Sequence, residues 1–175
     1  MVTREEIEAR LKTMSDFLKM EYLEHSLKDS DFGVKRFCHQ KLAELYEARK
    51  MYAEAAKNMS SVAEVSISFR DKRDAYMKEV ELWVKSGNME MFDSAMTKVL
   101  SNAHGPEKDD IRSAVKNLLR RQAQVYEKSM KRAAALKLYE KLYQMAEPYE
   151  KDEIKIKLKE LYNRLGKIKE YMALR

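Results

Sequence analysis

The sequence is short of the residues that reverse a chain. Its 175 residues include four glycines and two prolines, against 45% hydrophobic and 37% charged residues. Sheets and barrels need frequent tight turns, and tight turns draw on Gly, Pro and Asn, so this scarcity predicts an all-α chain. Cysteine occurs once, as Cys38. One cysteine excludes an internal disulfide and suits a reducing compartment, so the expected localisation is cytoplasmic. Apolar runs last only a few residues, whereas a membrane-spanning helix needs about 20, and no membrane partner is expected. The opening stretch MVTREEIEARL mixes acids and bases and lacks the apolar centre of a secretory signal.

The short motifs of catalysis are also missing. No two glycines lie within six residues of each other, which excludes a glycine-rich phosphate loop. There is no Gly-x-Ser-x-Gly elbow, no His-Glu-x-x-His pair and no inward-facing Glu-x-x-His pattern of a di-iron bundle. His25, His39 and His104 are scattered. Cys38 and His39 are adjacent, and adjacent helical side chains point about 100° apart, a poor beginning for a metal site. The expectation is a non-catalytic protein with no cofactor and no metal.

What the sequence does contain is charge and helical periodicity. Net charge is +6, and all of the excess lies late in the chain: residues 1–100 carry 17 Lys/Arg and 18 Asp/Glu, residues 101–175 carry 18 and 11. Such a basic half fits a solvated lysine-rich surface, an acidic partner or nucleic acid. Apolar residues recur at three and four positions, which predicts nine helices at about 3–28, 31–49, 52–66, 69–86, 88–103, 106–129, 131–146, 148–165 and 167–174. Thr3 and Glu6 have capping-box spacing for the first helix, and Ser68 and Asp71 a weaker version for the fourth. IKIKLK, residues 154–159, alternates like a strand. It continues into Leu161, Leu165, Ile168 and Met172 at helical spacing, and so reads as helix.

A longer period runs through this pattern. Tyr46, Trp83, Tyr126 and Tyr162 are 37, 43 and 36 residues apart, and each follows an aliphatic residue: Leu45, Leu82, Val125 and Leu161. Four positions beyond the aromatics stand Lys50, Gly87, Met130 and Gly166, where a chain reversal belongs. Nine beyond stand Ala55, Phe92, Ala135 and Tyr171, small or apolar residues suited to helix contact. Helix pairs bury only one stripe per helix, so neighbouring pairs must stack to make a continuous core.

The stretches LYEARKMYAEAAKNM, LWVKSGNMEMFDSAM, VYEKSMKRAAALKLYEKLYQMAEP and LYNRLGKIKEY resemble the tetratricopeptide repeat (TPR), in which aromatic, Gly, aromatic and Ala recur at these offsets. The resemblance covers residues 35–175 and is divergent, with spacings above the usual 34. It implies an α-α superhelix, a TPR-like solenoid of about nine antiparallel helices. The chain would form one helical-repeat domain, 1–175, with an N-terminal capping helix at 1–34 and helix pairs at 35–68, 69–104, 106–147 and 148–175, the last incomplete.

By the same resemblance, a concave groove would be lined by Phe37, Gln40, Glu44 and Glu47 in the first repeat and by Asp74, Met77, Glu81 and Val84 in the second. The third repeat would add Asn117, Arg120, Gln124 and Glu127, and the fourth Glu153, Ile156, Glu160 and Asn163. The third alone offers a cationic, polar cluster: Asn117, Arg120, Arg121, Gln124 and Lys128. The implied function is a scaffold that binds a peptide or protein partner. The alternative is nucleic acid, held by Lys155, Lys157, Lys159, Arg164, Lys167 and Lys169 interleaved with Tyr149, Tyr162 and Tyr171. The short last helix, with Ile168, Tyr171, Met172 and Leu174, needs packing to persist. Another copy forming a homodimer, a partner protein or further sequence would supply it.

Overall fold

The computed structural model describes residues 2–28 and 30–174. Among these residues there are ten α-helices, one 3-10 turn and no strand. The helices are α1 (Arg4–Leu11), α2 (Asp16–Ser26), α3 (Phe32–Ala48), α4 (Tyr52–Val65), α5 (Phe69–Ser86), α6 (Met89–Ser101), α7 (Glu107–Lys128), α8 (Arg132–Met145), α9 (Lys151–Arg164) and α10 (Ile168–Ala173), with the 3-10 turn at Pro148–Glu150.

The single first helix expected at 3–28 is in fact two, which makes ten helices where nine were expected. The Thr3 hydroxyl accepts from the Glu6 N–H while the Glu6 carboxylate accepts from the Thr3 N–H, so the predicted capping box starts α1. The helix then ends at Leu11, and α2 begins after Ser15. The break has a packing reason: Ile7 and Leu23, both fully buried, share one cluster with Val34, Phe37 and Leu42 of α3. A straight rod would carry one of them away from α3.

The chain forms two compact units. One comprises Met1–Ser86 with Met91–Ala103, the other Gly87–Glu90 with His104–Arg175. Within the first, α2 packs on α3, α3 on α4 and α4 on α5. Within the second, α7 packs on α8, α8 on α9 and α9 on α10.

Each helix pair turns by the same device. Lys50, Gly87, Met130 and Gly166, four residues beyond the aligned aromatics, all have left-handed backbone, with φ of 61°, 76°, 59° and 69°. The next N–H returns to the carbonyl of the aromatic itself: Met51 to Tyr46 at 2.9 Å, Lys131 to Tyr126 at 2.8 Å and Lys167 to Tyr162 at 2.9 Å. Lys50, Met130 and Gly166 donate to Glu47, Glu127 and Asn163 at 2.9, 3.0 and 3.1 Å. These paired bonds are a Schellman motif, which satisfies carbonyls that a helix end leaves open. Ala55, Phe92 and Ala135 are then fully buried in the returning helices, while the fourth member, Tyr171, is 36% exposed.

The four turns also group in twos. Tyr46 and Tyr126 lie 80 residues apart, Trp83 and Tyr162 79. In chain order the first and third turns use a non-glycine residue and the second and fourth use glycine. α4 and α8 end at Ser66 and Ala146 with φ/ψ of −77°/139° and −77°/140°. A side chain bonds backbone at the next start in both units, Ser68 Oγ accepting from the Asp71 N–H at 3.0 Å and the Glu150 carboxylate accepting from the Glu147 N–H at 2.9 Å. Helices α3–α6 and α7–α10 therefore follow one pattern twice.

A Cβ added at Gly87 would meet no atom within 4 Å, so the cost of Gly87→Ala is conformational, about 1 kcal/mol. Lys50→Gly relieves the same strain and raises stability by up to about 1 kcal/mol. Urea unfolding midpoints measure both, and a lowered midpoint for Lys50→Gly would contradict the shared turn.

Candidate interaction surface

Polar staples join neighbouring helix pairs, and they too occur twice. In the first unit Glu47, at the end of α3, accepts from Lys78 and Lys85 of α5 at 3.0 and 2.7 Å, and Lys78 also reaches Glu81 at 3.1 Å. In the second unit Glu127 of α7 accepts from Lys157 of α9 at 3.5 Å, Lys157 lies 3.9 Å from Glu160, and Arg164 bonds Glu160 at 2.7 Å. Counted from the aligned aromatics, all four positions correspond. A second staple links the starts of the same helices: Arg36 to Asp71 at 3.2 Å and Lys116 to Glu150 at 2.6 Å.

These pairs shift acidities. Burial works against the Glu47 and Glu81 charges, but hydrogen bonds from Lys85 and Lys78 outweigh it and hold both carboxyls below the ordinary 4.5. The Lys116 and Glu147 hydrogen bonds lower Glu150 similarly. Three tyrosine hydroxyls donate to carboxylates: Tyr46 to Glu24 at 2.7 Å, Tyr139 to Glu127 and Tyr162 to Glu140 at 2.8 Å. The Glu24 bond and burial push Tyr46 up to about 12. Burial, then the carboxylate bond, raises Tyr139 and Tyr162 too.

One charge in the first unit has no counterpart in the second. Glu79 of α5 is 1% exposed and accepts from Trp83 Nε1 at 3.2 Å and from Lys98 Nζ of α6 at 3.2 Å. Lys98 also donates to Ser60 Oγ of α4 at 2.8 Å and lies 5.4 Å over the Tyr76 ring. The residue at the Glu79 position in the second unit is Leu158, 1% exposed. The polar pair His39 Nδ1 to Asn58 Oδ1, at 2.9 Å, is likewise replaced by buried Leu119 and Leu138.

The structure disperses the residues expected in the groove. Phe37 and Val84 are in the core at 7% and 0% exposure and present no surface. Gln40 is exposed on α3 and Met77 half-buried on α5. On α7, Asn117, Arg121, Gln124 and Lys128 are exposed. Arg120 is half-buried, bonded to Asn117 Oδ1 at 3.3 Å, and its charge helps lower Glu150. Of the two adjacent arginines, Arg120 is engaged with these neighbours and Arg121 shares neither contact. Arg121 and Lys128 have no ion pair among the described residues.

Cys38 is fully buried, and burial pushes its thiol up to about 11, away from nucleophilic use. No group of three or more His, Cys, Asp or Glu side chains is placed to hold a metal among the described residues, and no helix there is long and apolar enough to cross a membrane. Two open clefts of about 490 and 510 Å³ flank α3 in the first unit, one beside Glu8, Lys41 and Leu45, the other beside Phe17, Glu24 and Tyr46. No protein family, no curated protein and no solved structure matches the chain.

Sequence spacing overlooked the ion-pair staples, although Glu47 with Lys78 and Glu127 with Lys157 share one offset from the aromatics. It also overlooked Glu79, since a buried glutamate and a surface one look alike in a charged helix.

Two consequences are measurable. Glu47 and Glu81 have folded acidities below the unfolded value of 4.5. Their stabilisation is therefore complete above that value and is lost as pH falls through the lowered folded values. Glu47→Gln is less stable than the parent at pH 7, and the difference shrinks as pH falls below the ordinary carboxyl value in pH-dependent urea melts. Lys98→Met leaves Glu79 buried without its cation and costs about 3 kcal/mol. The double change Glu79→Leu with Lys98→Met, which copies Leu158, recovers most of that loss in the same assay.

Proposed function

We propose that the chain is a non-catalytic interaction scaffold of TPR-like helix pairs that binds a peptide or protein partner. The observation that carries this reading is the four-fold recurrence of a left-handed residue four positions beyond an aromatic, closed at three of the turns by a bond to the aromatic's own carbonyl. Repeats of this kind hold their shape through neighbour contacts and leave helix faces available for a ligand. The α7 face with Asn117, Arg121, Gln124 and Lys128 is the part of the expected groove that is both exposed and cationic.

Nucleic acid is the poorer fit. Of the interleaved bases and aromatics, Lys157 and Arg164 are engaged with Glu127 and Glu160, and Tyr162 is 7% exposed with its hydroxyl on Glu140. That leaves Tyr149, 82% exposed, and Tyr171, 36% exposed, as the aromatics open to a base.

Selection of a random peptide display pool on the purified full chain, followed by titration of the enriched sequence, tests the reading. Expected is saturable binding with a shallow dependence on salt. Failure to enrich any sequence would sink the scaffold reading. Retention of single-stranded RNA with a log-affinity slope set by several phosphates would replace it with the nucleic-acid one.

A further inference from the structure

One face of α3 is occupied in the first unit. The Arg4 guanidinium of α1 lies 4.9 Å over the Phe37 ring. Ile7 of α1 and Met20 and Leu23 of α2 share a buried cluster with Val34, Phe37 and Cys38, and Leu45 packs against it. Glu8 and Leu11 of α1 line a cleft with Lys41 and Leu45. A short helix of mixed charge thus meets α3 through Arg4, Ile7 and Leu11, with its Glu8 paired to Arg4 and Lys41 of α3 paired to Glu44.

The same face of α7 lies 80 residues on and is bare. Val34, Phe37 and Lys41 correspond to Ala114, Asn117 and Arg121, all exposed. Leu45 corresponds to Val125, which is 51% exposed. One turn further, exposed Lys128 stands where α3 has Ala48. Spacings of three, four and seven put these residues on one stripe. Two features of the α3 face are kept, a cation at Lys41/Arg121 and an aliphatic at Leu45/Val125. Two change in one direction: Glu44 becomes Gln124 and Ala48 becomes Lys128. The face loses its acid, gains a base and has no carboxylate paired to Arg121 or Lys128 among the described residues.

The geometry points to this face of α7 as the docking site for an acidic amphipathic helix of a partner protein, held as α1 is held on α3. The inference rests on the scaffold reading and names the partner's chemistry. An aliphatic side chain of the partner covers Val125. Carboxylates about two turns apart on the partner meet Arg121 and Lys128, which are seven residues apart, and the Arg121 guanidinium can bind one of them in bidentate fashion. Asn117 and Gln124 complete the rim as neutral hydrogen-bonding groups. The mode is a helix laid in a groove, read through anchors at helical spacing.

The probe is a fluorescein-labelled synthetic helix of about 15 residues, leucines along one stripe and glutamates flanking them two turns apart. It is titrated by anisotropy with the full chain at about 0.15 M salt, where distant charges are screened. Saturable binding is expected, weakened at least tenfold by Arg121→Glu with Lys128→Glu and untouched by Lys41→Glu. A second probe with lysines for glutamates binds the doubly reversed variant and not the parent, a rescue that a folding defect would not produce. These surface changes leave the melting temperature in place. Binding that survives the double reversal but is lost in Lys41→Glu overturns this site and leaves the scaffold reading standing. Displacement of the probe by single-stranded RNA that binds tighter through the same two residues overturns it in favour of nucleic acid. A dimer in light scattering that disappears with Arg121→Glu gives the face to a second copy of the chain and overturns it as well. No binding by the probe, alongside enriched display peptides that do bind, removes the acidic-helix site alone.

Discussion

Everything in this chain is organised around one backbone hydrogen bond, from the residue after a left-handed turn back to the carbonyl of an aromatic. Three times the bond measures 2.8–2.9 Å, with Met51, Lys131 or Lys167 as donor. The bond fixes where the first helix stops, and the left-handed residue before it sets the direction in which the second one leaves. Because the aromatic supplies both a carbonyl and a large side chain, the position that terminates the helix also anchors it. Trp83 and Tyr162 are buried, at 2% and 7% exposure. At two of the four turns the left-handed place is filled by Lys50 and Met130, each with a Cβ that this backbone disfavours. That cost is tolerated because packing on both sides leaves the chain no alternative route.

The ion pairs between neighbouring pairs solve a different problem. Stacked helices with apolar stripes can slide, and hydrophobic contact is nearly indifferent to register. A carboxylate one residue past the aromatic, gripped by a lysine five before the next aromatic, is not. Exposed pairs of this kind contribute little to stability, and the half-exposed Arg36–Asp71 pair is of that sort. Their recurrence at matching positions is better understood as register marking. Glu79 shows how far such polarity is optional: Lys98 and Trp83 donate to it in one unit, and Leu158 fills the same place in the other.

How much of this was legible beforehand follows from physical causes. The all-helical class was plain from scarce Gly and Pro and from apolar spacing, and the reversals from the aromatics. The Thr3 cap could be read because a capping box is local. The break between α1 and α2 was missed because its cause, the demand that Ile7 and Leu23 both reach α3, is a tertiary one. Ser15 followed by Asp16 was a visible start signal within an otherwise periodic run. The surface was the least legible. Phe37 and Val84 were placed in a groove by analogy, yet both are core. Arg120 and Arg121 looked like one site, although adjacent residues on a helix face different neighbours.

The two units share a backbone plan, so their differences say more than their likeness. Where the plan only needs burial, the exchanges are conservative in kind: Trp83 with Tyr162, Val62 with Leu142. Where α3 is roofed by α1 and α2, it carries Phe37 and Leu42; at the matching places α7 carries Asn117 and Gln122. A face stripped of a covering helix would be expected to become polar in both signs, since a mixed surface solvates well without attracting ligands. Instead the α7 stripe keeps an aliphatic at Val125 and adds positive charge without a compensating acid. Solvation alone does not ask for that combination. An aliphatic side chain flanked by unpaired cations is the complement of an acidic helix, on the face that in the first unit is covered by α1 and α2.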